Sequence, residues 1–366
     1  MIGLYIHVPF CRQRCPYCAF FKEIPRNDFQ IEEYLRALDM ELSEARGRVF
    51  DTIYVGGGTP NMLRGKQLIE FLEIIHKHVR LREDYEWTFE MNPELVDIDS
   101  LEILKSYGVN RLSLGVQSIY DEELRFFARL HRYRTVVKRL ELIRRVGFDN
   151  VSVDLIFGSP LKTPDMWRRE LEEVVSWEVE HISTYHLTIE EGTPFEKMGI
   201  RSPDDETMVR LYRIRDEVLS KHGFIRYEIS NYAKPGRESR HNTIYWLHHE
   251  YMGFGPSAHS FLKPNVRYTN VSSLRKYVED YEKHREYEYL TEEQLLLERI
   301  FLGIRTIWGV EVGQVDLSGL EEYVEYRNGR IRLTDKGILI ADRLALEIYE
   351  RISRSPRQPS SSQPSS

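Results

Sequence analysis

The sequence predicts an α/β fold: an open, partial (βα)6 barrel followed by a smaller C-terminal α+β module of winged-helix-like shape. Three observations predict it. Over the first two thirds of the chain, short apolar runs alternate with amphipathic stretches, as in a parallel sheet covered by helices. Polar residues of several kinds fall at the C-terminal ends of the apolar runs, the rim where (βα) barrels carry chemistry. Beyond residue 231 the alternation stops. The division expected is 1–231 for the barrel, 232–353 for the second domain and 354–366 for a disordered tail, SPRQPSSSQPSS in its low-complexity part.

The runs Leu4–His7, Thr52–Val55, Glu86–Met91, Arg111–Val116, Val151–Phe157 and His181–Leu187 read as strands. Between them, Phe29–Ala45 places Ile31, Leu35, Leu38 and Leu42 at helical spacing. Gln67–Val79, Ser100–Tyr107, Thr135–Val146 and Pro164–Trp177 are amphipathic in the same way, and Arg201–His222 reads as one more helix. Tyr232–Pro264, dense in Gly, Pro, His and aromatics, reads as loops with short elements. Val271–His284 and Thr291–Thr306 look helical. Tyr326–Leu333 reads as a hairpin around Asn328-Gly329, and Thr334–Arg351 as a final helix capped by Thr334.

With 41% hydrophobic and 30% charged residues the chain is of ordinary globular composition, and a net charge of -7 argues against a general nucleic-acid binder. The opening MIGLYIHVPF lacks the basic and long apolar regions of a signal peptide. No run of about 18 apolar residues could span a bilayer. Spared thiols and no export signal make a reducing cytoplasm the expected compartment.

All three cysteines of the chain stand in one stretch, Cys11-Arg-Gln-Arg-Cys15-Pro-Tyr-Cys18. Free core cysteines have no reason to cluster. A structural zinc site wants a fourth soft ligand, and no cysteine or paired histidine lies nearby in sequence. A disulfide framework wants an even count. Three thiolates suit a [4Fe-4S] cluster that leaves one iron open. The spacing resembles that of the radical S-adenosylmethionine (SAM) enzymes, in which the open iron holds SAM and the cluster passes it an electron.

Gly56-Gly57-Gly58-Thr59-Pro60 follows the second strand, Glu90 ends the third, Gln117 ends the fourth and Asp154 lies within the fifth. Glycine permits positive φ and close backbone approach. Each residue also has a plain structural reading: a tight turn, a solvated carboxylate, a helix cap, a buried aspartate and, for Arg129, a surface ion pair. Their convergence on one rim favours a polar binding site.

The motifs LYIHVPFCRQRCPYC, VGGGTP, FEMNPE, GVNRLSLGVQS, VSVDLIFGSP, YHLTIEEGTPF, YEISNYAKPG and HNTIYW occur in order from Leu4 to about Ser260. Together they resemble the oxygen-independent coproporphyrinogen oxidase-like family of radical SAM proteins. The resemblance implies SAM contacts for Tyr5, Gly57, Glu90, Gln117, Arg129 and Asp154, and an adenine contact for Tyr17. Gly58 and Thr59 match positions that serve a second SAM in the true oxidases. Those oxidases carry a long segment before the cysteines and a fourth cysteine two positions after the third. Here the cysteines begin at residue 11 and the matching position is Phe20. Both departures resemble the HemW-type heme chaperone branch, whose His-Asn-x-x-Tyr mark is present as His241-Asn242-Thr243-Ile244-Tyr245.

The resemblance therefore implies a protein that binds the cluster, SAM and heme and delivers heme to acceptor apoproteins. His241 and Tyr245 would stand at the heme, near the junction with the C-terminal domain, with Trp246, Tyr251 and Phe254 as apolar walls. The alternatives are an oxygen-independent coproporphyrinogen III dehydrogenase and another radical SAM enzyme, such as a methyltransferase. Turnover of SAM and a homodimer are left open. No nucleic-acid partner is expected, and membrane contact only through the heme acceptors. His7 is expected to support the cysteine loop; His248, His249 and His259 are weaker heme or metal candidates.

Overall fold

The structure, a computed structural model, describes residues 1–313 and 315–354. It divides into two compact units, one of Met1–Tyr245 with His249–Tyr289, the other of Trp246–His248 with the chain from Leu290 onward.

The first unit is built on a twelve-stranded sheet. Six parallel strands, β1 (Ile2–Val8), β2 (Val49–Gly57), β3 (Arg80–Met91), β4 (Arg111–Gln117), β5 (Val151–Phe157) and β6 (His181–His186), pair in chain order. The connecting helices are α1 (Asp28–Leu42), α2 (Gly65–His78), α3 (Ile98–Ser106), α4 (Asp121–Phe126), α5 (Tyr133–Val146) and α6 (Pro164–Val175). The partial (βα)6 barrel expected from the alternation is the architecture found.

Side chains alternate between the two faces of each strand. Leu4, Ile6, Ile53, Val55, Trp87, Phe89, Leu112, Leu114, Val153 and Leu155 take one face and form the core with the helices. The other face carries Tyr5, His7, Thr52, Tyr54, Glu86, Thr88, Glu90, Arg111, Ser113, Ser152 and Asp154, so the barrel interior is polar. The register aligns these groups: Thr88 lies opposite Arg111, Glu90 opposite Ser113, and Ser152 opposite His181. That alternation turns a strand pattern into a binding site.

After β6 come α7 (Pro194–Lys197), α8 (Asp205–Lys221), β7 (Ile225–Arg226) and β8 (Asn231–Ala233), which pairs antiparallel with β6. Beyond α9 (Arg240–Trp246) the chain returns to the opposite edge, where β9 (Glu250–Phe254) lies parallel to β1. Strands β10 (His259–Leu262), β11 (Val266–Thr269) and β12 (Glu286–Tyr289), with α10 (Leu274–Asp280) before β12, extend that edge.

The boundary expected at 231/232 differs from the division found: residues 232–245, with the His-Asn-x-x-Tyr segment, and 249–289 belong to the first unit. The physical reason is Glu41 of α1, fully buried, which accepts hydrogen bonds from Gly255 N (2.8 Å), Asn270 Nδ2 (2.6 Å) and Tyr277 Oη (2.7 Å) and pairs with Arg285 (3.0 Å). Gly253 is required in β9, since a Cβ there would lie 2.2 Å from His259 O.

The second unit holds α11 (Glu292–Gly303), opened by a Thr291/Gln294 capping box, and a three-stranded antiparallel sheet in the order β13 (Val310–Glu311), β15 (Arg330–Leu333), β14 (Val324–Arg327). Asn328 and Gly329 both take positive φ in the β14–β15 turn, as a tight hairpin needs. The single helix expected over Thr334–Arg351 is two, α12 (Asp335–Ile338) and α13 (Ala341–Arg354), and Thr334 caps the first. Of the tail 354–366, Arg354 closes α13 and the remainder lies outside the described residues.

Candidate functional site

The cysteine loop leaves the end of β1 and closes on itself. Cys11 N donates to Glu23 O (2.9 Å) and Glu23 N to Pro9 O (2.7 Å), so residues 11–22 form a loop with pinned ends. Inside it, Cys18 N donates to Cys15 O (3.2 Å) and Lys22 Nζ to Cys18 O (2.7 Å). His7 supports the loop from the barrel, its Nε2 lying 2.8 Å from Phe21 O. Cys11 is buried and Cys15 and Cys18 half-buried, and all three line one cavity of about 450 Å³.

The glycine turn is wedged against this loop. Gly58 N donates to Val8 O (2.8 Å) and Thr59 N to Phe10 O (2.7 Å). Gly57 has φ +103°, and a Cβ there would lie 2.6 Å from the His7 ring. The triplet therefore has a steric cause, and it also lines the cavity through Gly57, Gly58 and Thr59.

A polar chain joins two of the cysteines. Thr59 Oγ1 lies 3.3 Å from Cys11 Sγ and accepts from Asn92 Nδ2 (3.0 Å). Asn92 Oδ1 accepts from Arg129 Nη2 (2.5 Å), and Arg129 Nη1 points at Cys15 Sγ (3.8 Å). Arg129 is held cationic: burial opposes its charge, but Tyr17, Cys15 and Glu94 outweigh burial and raise its pKa. Its Nε is buried without a hydrogen-bond partner. Sequence reasoning missed Asn92, although it stands inside the FEMNPE motif.

Two carboxylates lie at the cavity wall. Glu90 Oε1 accepts from Tyr54 Oη (2.6 Å), and burial pushes its pKa up to about 7 against the Tyr54 hydrogen bond. Asp154 accepts from Ser113 Oγ (3.2 Å), and burial likewise raises its pKa, opposed by Ser183 and Arg111. Gln117 ends β4 at φ +69° and lines the same cavity.

Behind these residues, the fully buried Lys162 pairs with Glu123 (2.9 Å) and Glu170 and donates to Ile156 O (3.0 Å). Ser118 donates to Glu123 (2.6 Å), and Glu170 accepts from Ile119 N (2.8 Å). This network fixes the turns that follow β4 and β5, and hence the places of Gln117 and Asp154. Tyr17 lines the cavity and packs edge-on to Phe127, ring centres 5.3 Å apart.

Three expected site residues lie elsewhere. Tyr5 is not in the cavity wall; its ring stacks on Tyr54 (6.3 Å) and its hydroxyl meets His7 Nδ1 (3.1 Å). His241 is fully buried in the barrel interior, with Nδ1 2.7 Å from Thr52 Oγ1 and Nε2 2.8 Å from Tyr245 Oη. Both ring nitrogens are taken, and burial lowers the pKa to about 3. His241 and Tyr245 thus bond to each other inside the barrel rather than lining the cavity. Phe254 is buried core, and Tyr251 packs edge-on to Tyr245 (4.6 Å). The His241 ring instead stacks on Tyr54 (5.2 Å), the residue that holds Glu90.

Residues 5–174 match the Radical SAM superfamily. The chain is 35% identical over 323 residues to the heme chaperone HemW of Bacillus subtilis (strain 168), covering 85% of each chain. It is 35% identical to that of Escherichia coli (strain K12), covering 70% of this chain and 69% of the relative. This chain belongs to the HemW branch of the radical SAM superfamily. The mitochondrial radical S-adenosyl methionine domain-containing protein 1 of Bos taurus is 31% identical, covering 94% and 83% of the two chains. The solved coproporphyrinogen III oxidase (HemN) of E. coli superposes with a TM-score of 0.82 at 21% identity, covering 94% and 89%, a likeness of fold.

Membership of the superfamily implies a [4Fe-4S] cluster and SAM, and the residues present fit both. Among the described residues no three thiol, imidazole or carboxylate groups stand close enough to hold a single metal ion. A cubane makes a different demand, one thiolate per iron, which three cysteines spread along a loop meet. The cavity beside them offers a half-buried cation and two half-buried carboxylates, the complement of an amino acid joined to a ribose. No helix among the described residues is long and apolar enough to cross a membrane.

Proposed function

We propose that this protein is a heme chaperone: it binds a [4Fe-4S] cluster and SAM in the barrel mouth, takes up heme and passes it to acceptor apoproteins. The observation that carries the cofactor part is the convergence of Cys11, Cys15, Cys18, Glu90, Arg129 and Asp154 on one cavity. The heme part is supported by the relatives' name and by Phe20, which stands where the resembling oxidases have a fourth cysteine. When bound, the cluster supplies an electron to the SAM sulfonium. The chain's own residues do the rest. Arg129 meets a carboxylate, Glu90 and Asp154 accept hydrogen bonds from amino and hydroxyl groups, and the pinned loop 11–22 excludes water. The free thiols suit a reducing cytoplasm.

The deciding experiment is an anaerobic assay of the reconstituted protein with reductant, SAM and coproporphyrinogen III, run beside a heme titration. Heme uptake with a Soret band and no decarboxylated product is the expected result. Robust formation of protoporphyrinogen would overturn this reading in favour of a coproporphyrinogen dehydrogenase.

A further inference from the structure

We propose that Asn92 is a positioning residue for the iron-sulfur cluster: it turns the Thr59 hydroxyl onto the Cys11 sulfur and so raises the potential at which the cluster takes up an electron. This rests on the cluster part of the proposed function and goes beyond it by naming residues that tune the cluster without ligating it. Asn92 follows β3 and lines the cavity. The buried Asn61 holds its backbone from both sides: Asn92 N donates to Asn61 Oδ1 (3.0 Å) and Asn61 Nδ2 to Asn92 O (3.1 Å). The side-chain amide then stands between two different groups, Arg129 Nη2 at 2.5 Å and Thr59 Oγ1 at 3.0 Å. A guanidinium can only donate, so the amide oxygen faces Arg129 and the NH2 group faces Thr59.

That orientation decides the hydroxyl. Thr59 Oγ1 accepts from Asn92, and its single hydrogen is left for Cys11 Sγ, 3.3 Å away. The sulfur makes the same demand. A cysteine that ligates iron is a thiolate with no hydrogen to give, so the hydroxyl is the donor. Thr59 and Cys11 are both buried, so little water competes for the contact. At the second cysteine, Arg129 Nη1 points at Cys15 Sγ (3.8 Å), while Asn92 Oδ1 and Gly115 O (2.9 Å) hold its Nη2. Asn92 thus steers a donor towards each of two ligand sulfurs. Hydrogen bonds to the sulfurs favour the reduced, more negative cluster and raise its potential. A carboxylate in place of the amide would keep Arg129 but reverse the contact with Thr59. It would accept the hydroxyl hydrogen and take it from the sulfur.

The test is an anaerobic redox titration of the reconstituted full chain without SAM, with the reduced cluster followed by electron paramagnetic resonance beside an iron count. Thr59→Val removes the donor and nearly keeps the shape. It should shift the one-electron equilibrium about tenfold towards the oxidised cluster, a potential lower by ~59 mV. Thr59→Ala, a smaller change that also removes the donor, should match it, and Thr59→Ser should stay near the wild type. Asn92→Asp should lower the potential by two routes, the turned hydroxyl and the added charge. In the Thr59→Val background only the charge acts, so the same substitution should shift the potential less. A wild-type potential in iron-loaded Thr59→Val or Thr59→Ala would overturn the proposal and leave the cluster reading standing. An Asn92→Asp shift of equal size in both backgrounds would overturn it too, since Asn92 would then not act through Thr59. A wild type that takes up no iron would end the cluster reading as well.

Discussion

Glu90 stands under opposed demands. Burial favours its neutral form, the Tyr54 hydroxyl and Gly57 amide favour its charge, and Asp154 opposes that charge, with a pKa of about 7 as the outcome. The ordinary value is 4.5, so the stability that burial allows is fully present below that pH and lost as pH rises through about 7. In protein without cluster or SAM, Glu90→Gln should therefore gain stability over wild type across that window, by at most about 3 kcal/mol. Urea midpoints measured at several pH values check this, and a difference constant with pH would clear Glu90 as the cause. With cluster and SAM present, Glu90→Ala should weaken SAM binding by roughly 1–3 kcal/mol in equilibrium dialysis. His241→Ala strands Thr52 Oγ1 and Tyr245 Oη and opens a hole beside Tyr54. It should cost about 2–4 kcal/mol in urea denaturation and lower SAM affinity as well, because Tyr54 aims Glu90. SAM binding unchanged in a folded His241→Ala would break that link.

At the scale of elements, the cysteine loop and the glycine turn form one device. A Cβ on Gly58 would lie 2.7 Å from Phe10 O and 2.9 Å from Val8 O, both backbone atoms that cannot swing aside. Gly58→Ala should pry the loop open, destabilise the protein by about 1–3 kcal/mol and lower the iron bound after reconstitution. Cys15→Ala acts on the cluster itself. It should abolish the broad absorption near ~400 nm and the loading of about 4 iron atoms per chain. Full iron loading in that variant would refute the ligand assignment.

At the scale of the molecule, the barrel interior is a column of buried polar groups rather than an apolar plug. His241 and Thr52, Ser152 with His181 and Tyr227, and Arg111 with Thr88 are hydrogen-bonded there. Glu90 and Asp154 top the column at the cavity. Such networks are costly to break singly and hold one arrangement when satisfied. The His-Asn-x-x-Tyr motif contributes its histidine and tyrosine to this column. The unit boundary at Leu290 has its own consequence. Truncation at residue 231 would remove β8 through β12 from the main sheet. Such a chain should fail to fold by circular dichroism, whereas the domain division expected from sequence would let it fold.

What the sequence determined by itself is local or periodic. The six parallel strands are legible because each strand carries its own two-residue alternation, and a glycine turn or polar residue marks its end. The cysteines are legible because their spacing is a property of one loop. Glu90, Gln117, Arg129 and Asp154 are legible because a parallel sheet sends every strand end to the same rim. What only the tertiary structure decided depends on distant partners. Glu-Tyr-Met-Gly-Phe of β9 reads as loop until β1 offers it an edge. Tyr54 and Asn92 gain their meaning from Glu90, Thr59 and Arg129 on other strands and turns. His241 has the chemistry of a heme ligand in isolation. Its partner Thr52 lies 189 residues away in the chain, and a hydrogen bond across that separation exists only once the barrel has closed.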